Sequence, residues 1–487
     1  MTRDSDKKKN EAEVKIEANK EAKLKAERSL ISRKGLELPA INSFIMQLPN
    51  ILVSLRQMCL SKFAIAMVND PDVKTFTSTH SIHFCIWSSE EIEAFFEEKP
   101  AILLNDTHVH EIFSKRLKLS FSNYKYQGDD NYHSLPNKQW EILVGQKLSA
   151  LPLPDIFRKE IAPLIKLILI ESYEWLLNHK TIIKSTTNLQ HHFHWTHYNK
   201  IDRQKTAKAI IADDNIDITD RFMLACNYCF QEDVLSIWGI LDDAQRNFFE
   251  DSRFVILQKW ANWAGNWAEL DWEEIARYSS CDTFGLPTYL PKLEQGKRLQ
   301  HLMRFSSGVW INFYDLQFCF SILDPCQQKE IFKKYPLQVL QVFLDWPAQE
   351  KLLDAVEFLW PYLSEQNFCD FFKVILFHKR MLVWIGYDFV TLVKKLWEKV
   401  PFEFRKFIEK DEIFNALKFI LEYEGWRLCS HELRLHFDDY VFMAFHSGST
   451  VFVISEYKKY ELSHFMFTLS KIFFLYRRIN LRYLNKY

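Results

Sequence analysis

Between residues 215 and 425 the apolar positions recur in one pattern: an aliphatic, an aliphatic or Cys three positions on, an adjacent aromatic, and an aliphatic three further. It reads Val234, Ile237, Trp238 and Leu241, then Leu316, Cys319, Phe320 and Leu323. It returns as Val356, Leu359, Trp360 and Leu363, and again as Val393, Leu396, Trp397 and Val400. Successive residues of an α-helix turn by about 100°, so each set of four shares one helical face. Asp242, Asp324, Ser364 and Pro401 come next. Asp and Ser accept from the free N–H groups of a first turn, so a second helix is predicted after each set. Gln245 and Gln327 are placed to complete capping boxes, and Pro325 sits where a first-turn Pro is tolerated. Phe248 and Phe249, Ile331 and Phe332, Phe371 and Phe372, and Phe407 and Ile408 are placed to anchor the second helices.

The marker aromatics are separated by 82, 40 and 37 residues, a period near 40 with one copy unrecognised around residue 279. LPDIFRK at 153–159 is similar to VPFEFRK at 400–406, which allows the array to begin earlier. A helix pair of this size cannot bury its apolar face alone, and stacked neighbours supply the missing partner. The expected fold class is all-α, a degenerate helix-pair repeat array of α-solenoid type.

The rest of the chain is less regular. Residues 1–35 are rich in Lys, Glu and Ala and read as a charged tail, disordered or helical. Residues 36–180 read as a mainly helical region. LPNILVSLRQMCLSKFAIAMV predicts a helix, and TFTSTHSIHFCIW has strand-like composition. Ser88 and Glu91 form a capping box ahead of Ile92, Phe95 and Phe96. Two helices are predicted around LPLPD, with Asp155 as the cap of the second. Residues 181–214 read as a polar, His-rich linker. Residues 426–487 read as a C-terminal cap in which HSGSTVFVISEY forms a short β segment. The final run KIFFLYRRINLRYLNKY carries Lys471, Arg477, Arg478, Arg482 and Lys486 and reads as a docked helix with snorkelling cations.

Composition narrows the function classes. Only 11 of 487 residues are Gly, about a third of the usual ~7%. Phosphate-cradling loops need Gly for positive φ and close backbone approach, and neither G-x-G-x-x-G nor G-x-x-x-x-G-K-[ST] is present. A net charge of −1 gives no global field for nucleic acid or a membrane surface. The nine Cys are scattered and odd in number, and the N-terminal segment has no apolar stretch. These features predict reduced thiols and a cytoplasmic location, with Lys7, Lys8 and Lys9 leaving the nucleus open. No uncharged apolar run approaches the ~18 residues of a spanning helix.

Candidate chemistry centres on the His-rich segment. His194 and His197, with Cys226 and Cys229 downstream, supply imidazole and thiolate donors of the kind that complete a tetrahedral zinc site. The competing reading places Cys226 and Cys229 on one buried helical face as small core residues. Trp260, Trp263 and Trp267 form one helical stripe, with Trp272 beyond, and read as core rather than a base-stacking platform. Few Lys or Arg interleave with them. No G-x-S-x-G or H-E-x-x-H occurs, so no catalytic residue is named and no cofactor is expected.

The stretch LACNYCFQEDVLSIW resembles a worn ankyrin unit. Ala225 and Cys226 stand where that family has its small pair, Cys229 where it has Gly, and Glu232 and Val234 where it has an acidic residue before aliphatics. The T-P-L-H opening is replaced by Asp220, Arg221, Phe222 and Met223. The period near 40 is closer to HEAT-type arrays. The chain also resembles lineage-expanded animal proteins with degenerate helical repeats, which implies an intracellular protein-binding scaffold with protein partners. Two other functions are weighed. One is a zinc-binding or enzymatic protein using the His-rich segment. The other is a ubiquitin-ligase adaptor, because LPLPDIFRKEI resembles the end of a SOCS box.

Overall fold

The computed structural model describes residues 55–79, 88–89, 136–184, 189–196, 199–266, 269–279, 284–306, 313–344, 348–382, 388–411, 413–425, 440–447 and 450–457. The charged N-terminal tail, Glu91 of the capping box expected at Ser88, and the basic C-terminal run lie outside them. Twenty α-helices follow in chain order: α1 Leu55–Val68, α2 Pro71–Thr79, α3 Pro136–Ser149, α4 Asp155–His179, α5 Arg203–Ile211, α6 Ile218–Asn227 and α7 Gln231–Ile240. Then come α8 Asp243–Glu250, α9 Val255–Asn266, α10 Trp272–Tyr278, α11 Leu286–Tyr289, α12 Gln295–Ser306, α13 Phe313–Ile322 and α14 Pro325–Lys334. The last six are α15 Pro336–Val342, α16 Leu352–Leu359, α17 Glu365–Leu382, α18 Phe389–Lys399, α19 Phe402–Ile408 and α20 Ile413–Glu422. One antiparallel ribbon pairs β1 Tyr440–Ser447 with β2 Thr450–Tyr457, on the segment read as β from its composition. Among the described residues no helix is long and apolar enough to cross a membrane.

The chain divides into two compact units. One contains residues 52–311, 373–394 and 415–487, and the other contains 1–51, 312–372 and 395–414. In the first unit, α1 packs on α4 and the ion pair of Arg56 with Glu160 joins them at 2.5 Å. Lys147 of α3 reaches Asp70 and Asp72 at 3.0 and 2.5 Å, and the ring of Phe76 lies 5.8 Å from that of Trp140. The aromatic core of the unit includes Phe222, Phe249 and Trp260, all fully buried. Phe222 lies 4.4 Å from Phe249 and 5.6 Å from Trp238, which ties α6 to α7 and α8.

Two local expectations are corrected. TFTST is helical within α2, not extended. Asp70 accepts from the amides of Asp72 and Val73, and Pro71 opens the helix. The hydroxyls of Thr75, Thr77 and Ser78 donate back to carbonyls one turn earlier. Those bonds give the hydroxyls partners within the helix itself. Asp155 is the first residue of α4, not its cap. The carbonyl of Pro154 takes the first amides, from Phe157 and Arg158, while the Asp155 carboxylate pairs with Arg158 at 3.1 Å.

Several described residues of the segment 181–214 make packing contacts. Leu189 is buried in a 3-10 turn, Leu189–His192, and Asn199 turns the chain at φ 60. Glu171 of α4 binds Lys200 Nζ at 2.7 Å and the Ile201 amide at 3.3 Å. Asp202 then caps α5 through the amide of Lys205.

The predicted second helices all form. Asp242 with Gln245, and Asp324 with Gln327, make complete capping boxes. Ser364 and Asn367 exchange equivalent bonds at the start of α17, at 3.0 and 3.2 Å. Pro401 precedes α19 without a side-chain cap. Substituting Asp242 or Asp324 with Ala should cost about 1 kcal/mol each. Urea unfolding would read this as a lower midpoint at unchanged slope.

Candidate functional site

The four recurring sets take comparable local positions. Val234, Ile237 and Leu241, Leu316, Cys319 and Leu323, Val356, Leu359 and Leu363, and Val393, Leu396 and Val400 are all buried. The marker aromatics vary: Trp238 and Phe320 are buried, whereas Trp360 and Trp397 are half-buried. Each set ends a helix, and the next helix begins two residues after the last aliphatic. The anchor pairs are uneven. Phe249 and Ile408 are buried while their neighbours Phe248 and Phe407 are exposed.

A further position, eight residues after the marker, was not recognised in the sequence. Arg246 donates to Trp238 O at 3.3 and 3.2 Å and lies 5.8 Å from the Trp238 ring. Arg405 donates to Val400 O and Glu398 O at 2.9 and 2.8 Å and lies 5.6 Å from the Trp397 ring. Gln328 donates to Phe320 O and Leu323 O at 2.8 and 2.9 Å. These donors satisfy carbonyls that a helix end leaves without partners. In the remaining set Phe368 takes the position and meets Trp360 edge-on at 5.2 Å. The signal available in the sequence was a donor at a fixed offset in three of the four sets.

Within the unit holding 312–372 and 395–414, successive helix pairs touch in order. Phe332 of α14 lies 5.3 Å from Phe358 of α16. Phe368 and Phe372 of α17 lie 5.8 Å from Phe404 and Trp397 respectively. Lys399 of α18 pairs with Glu357 of α16. The set at Trp238 belongs to the other unit, where Phe222 and α9 surround it.

The proposed zinc donors are distributed differently. Cys226 and Cys229 are fully buried. Burial, with Cys229 close by, holds the Cys226 thiol well above its ordinary range. Burial pushes Cys229 up to about 12, opposed by Ser279 Oγ at 3.7 Å. Both sulfurs sit in the packed core, as the small-core-residue reading expects. His194 is exposed, with its amide donating to Thr206 Oγ1 at 3.0 Å. His197 lies outside the described residues. Among the described residues, the group with converging metal-type donors is His191, His192 and Asp213.

Cys229 has a backbone role. Its φ is 57, a conformation that favours Gly. The amide of Phe230 reaches Ala225 O at 3.0 Å and that of Cys229 reaches Cys226 O at 3.2 Å, the two bonds of a Schellman helix end. Its sulfur occupies space left by Gly285, where a Cβ would stand 2.6 Å from Cys229 Sγ and 3.0 Å from Asn227 O.

His179 was not singled out in the sequence, yet it is the most perturbed histidine described. It is buried, stacked 3.8 Å from Trp175 and 4.3 Å from Phe284. Nδ1 lies 2.7 Å from Trp175 O, and Nε2 lies 2.8 Å from Tyr228 Oη. A carbonyl only accepts, so Nδ1 carries the proton and Tyr228 donates to Nε2. Burial lowers the pKa to about 3, with Arg203 acting in the same direction. The imidazole is therefore a neutral linchpin of the aromatic cluster.

Two outcomes follow. Gly285→Ala should destabilise by about 1–3 kcal/mol through overpacking. Adding Cys229→Gly should recover part of the loss, read as coupling in a double-mutant cycle by urea unfolding. Above pH 6.5 His179 is neutral in both folded and unfolded chains. Below it the unfolded chain takes up a proton that the folded chain refuses. Its contribution should thus fall by about 1.4 kcal/mol per pH unit, down to a pH of about 3. Unfolding of wild type and His179→Phe at pH 7 and pH 5 would check this, since the variant should lack that component. Comparison of the chain with family models, curated proteins and solved structures gives no match.

Proposed function

We propose that this chain is an intracellular protein–protein interaction scaffold built on degenerate helical repeats. The observation that carries the reading is the ordered contact of successive helix pairs from α13 to α19, where each second helix packs on the following pair. Stacked helix pairs of that kind present extended surfaces suited to a protein partner. The turn between α6 and α7 adds support for an ankyrin-like unit, because Cys229 adopts positive φ where that family has Gly. Large apolar side chains remain exposed on the second helices: Phe248 on α8, and Phe402 and Phe407 on α19. Such residues can anchor a partner at the centre of an interface.

The repeat half of the reading has its own test. Phe332→Ala should cost about 3–5 kcal/mol. Hydrogen exchange should then rise in α16 as well as in α13 and α14. An increase confined to α14 would contradict nearest-neighbour coupling.

For the scaffold half, the full chain should retain a stoichiometric partner from cell lysate. The purified partner should rebind with a Kd of about 1 μM or tighter. Phe402→Asp with Phe407→Asp, or Phe248→Asp, should weaken that binding without changing the helical signal. Failure to retain any stoichiometric partner across a range of salt would overturn the proposal.

A further inference from the structure

Three donors from two separate segments converge beside α5. His191 and His192 close the 3-10 turn Leu189–His192, which packs on α5 through its buried first residue, Leu189. Asp213 follows the other end of that helix, where its amide bonds to Ile210 O at 3.2 Å. One ligand atom from each of His191, His192 and Asp213 lies within 4.8 Å of the other two. The two imidazole centroids are 3.9 Å apart, and His192 Nε2 is 3.0 Å from Asp213 Oδ2.

The carboxylate is already oriented. Asp213 Oδ1 accepts from the Asn215 amide at 2.9 Å and from Asn215 Nδ2 at 2.8 Å. That leaves Oδ2 facing the imidazoles. Outer hydrogen bonds of this type fix the direction of a ligating carboxylate. The turn that carries the histidines is also pinned beyond them. The His194 amide bonds to Thr206 Oγ1 on α5, and the Asp202 amide bonds to His194 O at 2.7 Å. The side chains of His192 and Asp213 are only 13% and 19% exposed, whereas His191 is exposed, so an ion has an open approach on one side.

We propose that His191, His192 and Asp213 form a binding site for a divalent first-row transition-metal ion. The His192–Asp213 pair and the neighbouring His191 imidazole bring three donor atoms within reach of one ion. The donor set is two nitrogens and one oxygen. It suits zinc, cobalt or nickel rather than calcium or magnesium, which favour all-oxygen ligands. Three protein ligands leave coordination positions for water.

The test is a titration of Co2+ into the full chain after chelator treatment. Visible d–d absorption should rise and saturate at one equivalent, and Zn2+ should bleach it. His191→Ala, His192→Ala and Asp213→Asn should each weaken Co2+ binding by about tenfold or more. His194→Ala and Cys226→Ser should leave it unchanged. Zn2+ should also raise the thermal midpoint of the wild type but not that of the double variant His191→Ala, His192→Ala. Absence of Co2+ absorption at millimolar metal would overturn the proposal. So would loss of binding in Cys226→Ser with retention in His192→Ala and Asp213→Asn. Because His191 lies on the surface, its variant stays informative if Asp213→Asn fails to fold.

Discussion

Short helices must be terminated and restarted within a few residues, and the remainder of this structure depends on how that is done. Helices of 8 to 10 residues such as α7, α8, α13 and α14 are marginal by themselves. Each also leaves unsatisfied amides at one end and carbonyls at the other. Both ends are served across the same turn. Asp, Ser or the backbone of Pro covers the incoming amides, while Arg246, Gln328 or Arg405 reaches back to the outgoing carbonyls. With the polar ends closed, the apolar faces are free to meet. The aromatic contacts from Phe332 to Trp397 are the result.

This arrangement explains how so few glycines suffice. Gly ordinarily terminates helices by adopting positive φ, and only 11 are present in the chain. Among the described non-Gly residues, Asn199 and Cys229 take that conformation. Asn is the usual substitute. Cys229 is not, and burial of its sulfur against Gly285 offsets part of the backbone cost.

The helical periodicity was legible because offsets of three and four residues report directly on a buried face. The caps at Asp242 and Asp324 were legible because capping is local. The wrong expectations had a different origin. TFTST looked extended because composition does not reveal that the hydroxyls of Thr75, Thr77 and Ser78 find partners within the helix. Spacing alone left Cys226 and Cys229 open as ligands or as small core residues, because it does not report burial. His179 was passed over because its significance rests on Tyr228 and Phe284, which are remote in sequence. Asp213 was missed for the same reason. Nothing local links it to His191 and His192 until α5 sets the distance.

The seat shared by Cys229 and Gly285 limits how this protein can drift over evolutionary time. A larger side chain at 285 has no room while sulfur stays at 229, and a bulkier residue at 229 would press on the carbonyl of Asn227 and the ring of Tyr289, which border the same space. Growth at 285 is therefore favoured only once the sulfur at 229 is lost, whereas 229 can shrink while glycine stays. That order of change makes the thiol the gatekeeper of the seat.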